Sequence, residues 1–351
     1  MSGIIQGALG SSRALLIGWF VPSAINILLY GVLVDPRHSG FDALTGSGGD
    51  AARPTLYALT GTLVLGLLLA SLQTPLYRLL EGYLGWPDSF FRRGVRRHLS
   101  RKHLLQNRLQ AAILVQAEAA GPLPDEHATA LAAFRAHPVT GRYADRDARR
   151  GPIWLAILEE RLNRYPADDR QFAATRLGNA IRRLEEYGYD RFRLDTQVVW
   201  YELVAVAPEQ ARKQTEDSRV GVDFFVCLLF GHLLVAAGAL ARLGFGHPHP
   251  AWKLWALAAV LVAITPVWYR TAVVATDDWT AAVKAMVDLG RKPLAEALAL
   301  ELPRSLAAER RMWELAGGLT SSPYSELADE LDRFRARAAP EETANETATP
   351  S

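Results

Sequence analysis

The chain has 351 residues, half of them hydrophobic and 22% charged, with a formal net charge of +2 and one cysteine. The charges are clustered: residues 78–219 carry 24 Lys and Arg against 19 Asp and Glu, and residues 270–351 carry 10 against 14. The long uncharged remainder excludes a wholly soluble or disordered chain, and the lone Cys227 excludes an intrachain disulfide and a Cys-based zinc site.

Four stretches reach the roughly 20 apolar residues that a bilayer span requires: Ala14–Val34, Leu56–Leu76, Val220–Ala241 and Trp252–Tyr269. A soluble amphipathic helix would place polar residues at every third or fourth position, and these stretches do not. The first is about twice the length of a signal-peptide core, has only Arg13 before it and lacks a small-x-small site after it, so it is expected to stay as a helix. Lys and Arg counts set the orientation. Residues 78–102 carry Arg78, Arg92, Arg93, Arg96, Arg97, Arg101 and Lys102, whereas 35–54 carries only Arg37 and Arg53, and 242–253 only Arg242 and Lys253. Both termini, the central insert and the tail are therefore expected on the cytoplasmic side of a bacterial plasma membrane. Arg outnumbers Lys 34 to 5, as in a GC-rich genome.

The expected organisation is a membrane hairpin (1–78), an insert (79–219), a second hairpin (220–270), a tail (271–338) and a disordered end (339–351). The two hairpins end alike, in Thr74-Pro75-Leu76-Tyr77-Arg78 and Thr265-Pro266-Val267-Trp268-Tyr269-Arg270. Duplication and the common needs of inner-leaflet helix ends explain that echo equally well. Periodicity predicts insert helices over 88–120, 125–136, 153–164, 172–187 and 196–207, with 139–152 as loop and breaks at Gly121–Pro124 and His137-Pro138. A polar helical run from Glu209 leads directly into the third span. In the tail, helices are predicted from Asp277 or Asp278 to Leu302, over 304–316 up to Gly317-Gly318, and over 324–338. Asp277 and Asp278 are read as first-turn carboxylates. No convincing strand pattern occurs, so the fold class is all-α: four transmembrane helices plus a helical domain. The basic insert and acidic tail are expected to pack as one domain, two independent domains being the alternative.

The strongest chemical signal is the set Arg92, Arg93, Arg96, Arg97, Arg101 and Lys102 on one amphipathic helix. Beside a membrane these cations suit anionic lipid headgroups, at about 1 kcal/mol each. A solvated face that only fixes topology is the plain alternative, and position argues against nucleic acid as ligand. Within the spans Asn26, Asp223 and His232 are the polar exceptions, read either as interhelical bonds or as part of a solute pathway. Gly178 and Asn179 inside a helix cost about 1 and roughly 0.5–0.7 kcal/mol relative to Ala. Close backbone approach or buried hydrogen bonds must offset that, at a helix crossing or a ligand pocket. Walker-type, dinucleotide-binding, His-Glu-x-x-His and Gly-x-Ser-x-Gly motifs are absent. His247 and His249 offer two metal ligands without a third, so no metal and no cofactor are expected.

The run Leu177-Gly178-Asn179-Ala180-Ile181-Arg182 … Glu185 … Tyr187 … Arg191-Phe192-Arg193-Leu194-Asp195 … Trp200, with Asp288-Leu289-Gly290-Arg291, Leu302-Pro303, Glu309-Arg310 and Trp313, resembles a group of bacterial four-span membrane proteins. The resemblance covers most of residues 55–315, implies no activity and adds no catalytic residue. It makes Gly178, Asn179, Glu185, Asp195, Trp200, Asp288 and Arg291 candidates for packing or partner contacts. The expectation is a non-enzymatic scaffold or sensor that touches membrane lipids and docks a cytosolic protein partner. A homo-oligomer forming a channel or transporter for an ion or small solute is the alternative.

Overall fold

The computed structural model describes residues 12–39, 52–246 and 251–335. His247, His249 and the expected disordered end therefore lie outside the described residues. Among those residues the protein is all-helical, with one isolated antiparallel bridge between Leu300 and Arg335.

Four helices are long and apolar enough to cross a membrane. They are α1 (Arg13–Val34), with π-helical turns at Leu16–Phe20 and Tyr30–Val34, α2 (Ala52–Ser71), and the long helices α11 (Glu209–Gly246) and α12 (Ala251–Ala297). Contacts run α2 to α1, α1 to α11 and α11 to α12, so α1 and α11 form the inside of the row. The outer helices leave Leu56, Leu59, Trp252, Trp255 and Val260 exposed, a surface only an apolar solvent would favour. The expected second span is interrupted at Leu72, and α3 (Gln73–Glu81) restarts with Pro75 in its first turn, where the missing N–H leaves no bond unmade.

The insert supplies α4 (Asp88–Ala120), α5 (Asp125–Ala136), α6 (Gly141–Arg149), α7 (Gly151–Leu162), α8 (Arg176–Glu185), α9 (Tyr187–Phe192) and α10 (Trp200–Val206). The tail adds α13 (Leu306–Ser321) and a 3-10 run, Glu326–Phe334. One apolar core joins the two: Leu177, Ile181, Leu184 and Trp200 of the insert meet Trp279, Met286, Leu294 and Trp313 of the tail. Each such fully buried side chain contributes about 1.5–3 kcal/mol.

Several expected boundaries are corrected. Residues 141–149 are helical, not loop. Their polar composition conceals one inward face: Ala144 is fully buried, and Asp147 accepts from Arg108 at 2.8 and 3.1 Å and from Trp154 Nε1 at 2.9 Å. Residues 172–175 are not helical, because Thr175 caps α8 by accepting from Gly178 N at 3.0 Å. Helix α10 begins at Trp200, since Asp195 accepts from Gln197 N at 3.0 Å and holds residues 195–199 as a turn. Asp277 and Asp278 start nothing: α12 runs through them without a break, and Asp277 instead receives Arg164. Gly317-Gly318 does not end α13, which continues to Ser321.

Candidate functional site

Trp86-Pro87 precedes α4, and Asp88 occupies its first turn, where a carboxylate complements the helix dipole. Arg93, Arg97 and Arg101 recur every four residues and so share one stripe of α4, while Arg92 and Arg96 stand on an exposed neighbouring face. The stripe lines a cavity of about 690 Å³. Its floor is Leu79 and Leu80 of α3 with Trp86 and Phe90, its second wall Ala174–Arg176, and its third Pro266, Tyr269 and Arg270, where the apolar part of α12 ends. A second cavity of about 550 Å³ shares Arg101, Arg176 and Arg270 and extends past Leu104, Tyr165 and Val273.

The walls are held close together. A Cβ on Gly94 would lie 2.5 Å from the Ala174 carbonyl oxygen, so only glycine lets α4 rest on that strand of backbone. Tyr269 Oη accepts from Leu177 N at 3.1 Å, tying the start of α8 to α12.

Neither cavity is lined by any Asp or Glu. Arg108 and Arg164 in the second cavity are neutralised by Asp147 and Asp277. Arg93, Arg97, Arg101, Arg176 and Arg270 form no ion pair among the described residues. The uncompensated charge is felt locally: burial, then Arg101, Arg176 and Arg97, hold His98 down to about 4, so its ring is neutral and bonds Tyr165 Oη at 3.2 Å. Burial together with Arg97 and Arg176 also lowers Arg101. The first cavity thus combines five guanidiniums with an apolar floor and no acid.

Lys102 is not part of this groove. It is buried, bonded to Ala167 O at 2.8 Å and Asp169 at 2.7 Å, and serves as a post between α4 and the 167–172 segment. The polar residues of the apolar helices are paired inside the bundle. His232 Nδ1 lies 2.9 Å from Asn26 Oδ1, and Asn26 Nδ2 donates to Pro22 O at 2.7 Å. Asp223 accepts from Tyr77 at 2.6 Å and Gln73 at 3.0 Å, with buried Arg219 at 3.6 Å.

The other candidates are struts of the insert–tail core. A Cβ on Gly178 would sit 2.8 Å from Glu81 O, and the Asn179 amide accepts from Ala173 N and donates to Ala173 O and Thr175 O, so both compensations for these residues occur together. Trp200 is buried, Asp195 holds its turn, and Asp288 accepts from Tyr187 Oη at 3.0 Å. Arg291 reaches Glu309 at 2.5 Å and lies over Phe192.

Sequence reasoning missed two things. One is the membership of Arg176 and Arg270 in the groove; only the interfacial position of Arg270 hinted at it. The other is a carboxyl cluster behind α3. Arg182 bonds Glu185 at 3.1 Å and Glu186 at 2.9 Å, while Glu81, 1% exposed, has neither oxygen hydrogen-bonded to protein. Burial and Glu185 push Glu81 up to about 7; burial also takes Glu186 to about 7 and raises Glu185. No set of three His, Cys, Asp or Glu side chains among the described residues is arranged to hold a metal ion. No family model, curated protein or solved structure matches the chain.

Proposed function

We propose that this is a multipass plasma-membrane protein, with both termini, insert and tail cytoplasmic, that acts as a non-enzymatic scaffold or sensor by holding an anionic lipid headgroup in the arginine groove. The observation that carries this reading is the convergence of five unpaired arginines from α4, α8 and α12 on an apolar floor, at the end of the apolar segments of α2 and α12. The positive-inside pattern supports the orientation. A headgroup seated there would contact α4, α8 and α12 at once, so lipid occupancy would bear on the packing of the insert that presents a surface to a cytosolic partner. The mutual pairing of Asn26 with His232 and of Asp223 with Gln73, Tyr77 and Arg219 favours packing over a solute pathway.

The test is native mass spectrometry of the full chain released from nanodiscs of mixed bacterial lipid. Anionic lipid should be retained by the parent and by Arg92→Gln, which lies outside the groove, and lost from a triple Arg97→Gln, Arg176→Gln, Arg270→Gln variant. Equal retention by all three proteins would refute the groove as a lipid site.

A further inference from the structure

We propose that the groove selects a lipid whose headgroup carries two or more negative charges, a phosphomonoester or a diphosphate, over the singly charged phosphodiesters. This rests on the lipid-groove reading and narrows its ligand. Four observations lead to it.

The first is charge. Five guanidiniums, those of Arg93, Arg97, Arg101, Arg176 and Arg270, line the first cavity and form no ion pair among the described residues, and no carboxylate lines either cavity. A phosphodiester brings one negative charge and would leave most of that field unbalanced. A phosphomonoester brings about −1.5 to −2 at neutral pH, and a diphosphate brings more.

The second is extent. Arg93 and Arg101 are eight residues apart on α4, so at 1.5 Å per residue the cationic stripe runs about 12 Å. One phosphate group cannot engage all of it. An arginine fork binds phosphate through two parallel N–H donors, and two adjacent phosphates would be met by Arg93 and Arg97 at one end and by Arg101, Arg176 and Arg270, which line both cavities, at the other.

The third is preorganisation. Gly94 on the Ala174 carbonyl, the Thr175 cap of α8 and the Tyr269–Leu177 bond fix the three cationic walls relative to one another. The cations therefore cannot easily spread apart to relieve their repulsion, and a multivalent anion relieves it instead.

The fourth is the floor. Leu79, Leu80, Trp86 and Phe90 are apolar, with Trp86 and Phe90 39% and 61% exposed, and Leu79 and Leu80 belong to α3, which follows the apolar helix α2 directly. A soluble phosphate ester would leave that floor wet, whereas an acyl or prenyl chain covers it.

The experiment uses the full chain in nanodiscs of zwitterionic lipid doped at equal mole fraction with phosphatidic acid, a long-chain prenyl diphosphate or phosphatidylglycerol, with retained lipid read by native mass spectrometry. Phosphatidic acid and the prenyl diphosphate should be retained about tenfold over phosphatidylglycerol, as expected for one further charge held by guanidiniums. The preference should collapse in Arg176→Gln and Arg270→Gln and survive in Arg92→Gln. Equal retention of all three lipids, lost in Arg176→Gln, would overturn the charge selectivity while leaving the lipid groove standing. Retention indifferent to Arg176→Gln and Arg270→Gln would sink both. Displacement of the lipid by an equal concentration of inorganic diphosphate would overturn the lipid assignment in favour of a soluble anion.

Discussion

Glu81→Gln should stabilise this protein above neutral pH, although it removes an ionisable group from a native cluster. Glu81 is 1% exposed, neither of its oxygens is hydrogen-bonded to protein, and burial with Glu185 nearby raises it from an ordinary 4.5 to about 7. Its proton is thus held more tightly in the folded than in the unfolded chain. The sign follows: stability from this group is complete below about pH 4.5 and is lost as pH rises through about 7. A shift of this size corresponds to about 3 kcal/mol once the group is ionised in both states. Glutamine reproduces the neutral acid and removes that loss. Thermal unfolding of the full chain in one mild detergent, from pH 5 to 8, is the assay. The parent should lose apparent stability across this interval, and Glu81→Gln should lose markedly less and exceed the parent at pH 8. Glu186, pushed up to about 7, and Glu185, also raised, leave the variant a residual slope of the same sign, while His98, held down to about 4, acts in the opposite sense at the acid end. A variant with the parent's slope, or one less stable at pH 8, would refute the reasoning.

Three further outcomes follow from the packing. Asp223→Ala removes the buried carboxylate that accepts from Tyr77 and Gln73 and lies 3.6 Å from Arg219, and should cost about 3–5 kcal/mol, seen as loss of the monodisperse peak in fluorescence-detected size exclusion after mild heating. Asn179→Ala removes the amide that satisfies Ala173 N, Ala173 O and Thr175 O and should cost about 1–3 kcal/mol, with faster hydrogen exchange confined to residues 172–180. Gly94→Ala puts a methyl 2.5 Å from the Ala174 carbonyl oxygen and should cost about 1–3 kcal/mol while weakening lipid retention, because the groove walls must separate. Unchanged stability in any of the three would contradict the contact invoked.

Some of this structure was legible in the sequence, and the physics says which part. Span lengths and the α4 and α5 boundaries follow from local periodicity and breakers, which need no tertiary knowledge. Gly178 and Asn179 announced themselves by being poor helix formers, and the structure places a backbone crossing over one and a three-bond amide clamp on the other. Helix α6 was hidden because its inward face is Ala144, Asp147 and Ala148, and a buried Asp reads as polar until Arg108 and Trp154 are found opposite it. Lys102 is chemically indistinguishable from Arg101 in the sequence; only Asp169, 67 residues on, assigns it to the interior. The groove was half legible for the same reason, since Arg176 and Arg270 join the α4 stripe through packing between distant segments.

Cysteine accessibility in intact cells tests the arrangement of the whole chain, because the native Cys227 is buried and gives little background. A membrane-impermeant thiol reagent should label Thr45→Cys from outside and should reach Asp145→Cys and Thr320→Cys only after the membrane is permeabilised. Labelling of Asp145→Cys in sealed cells, with Thr45→Cys protected, would place the insert and its arginine groove on the opposite side and contradict the account.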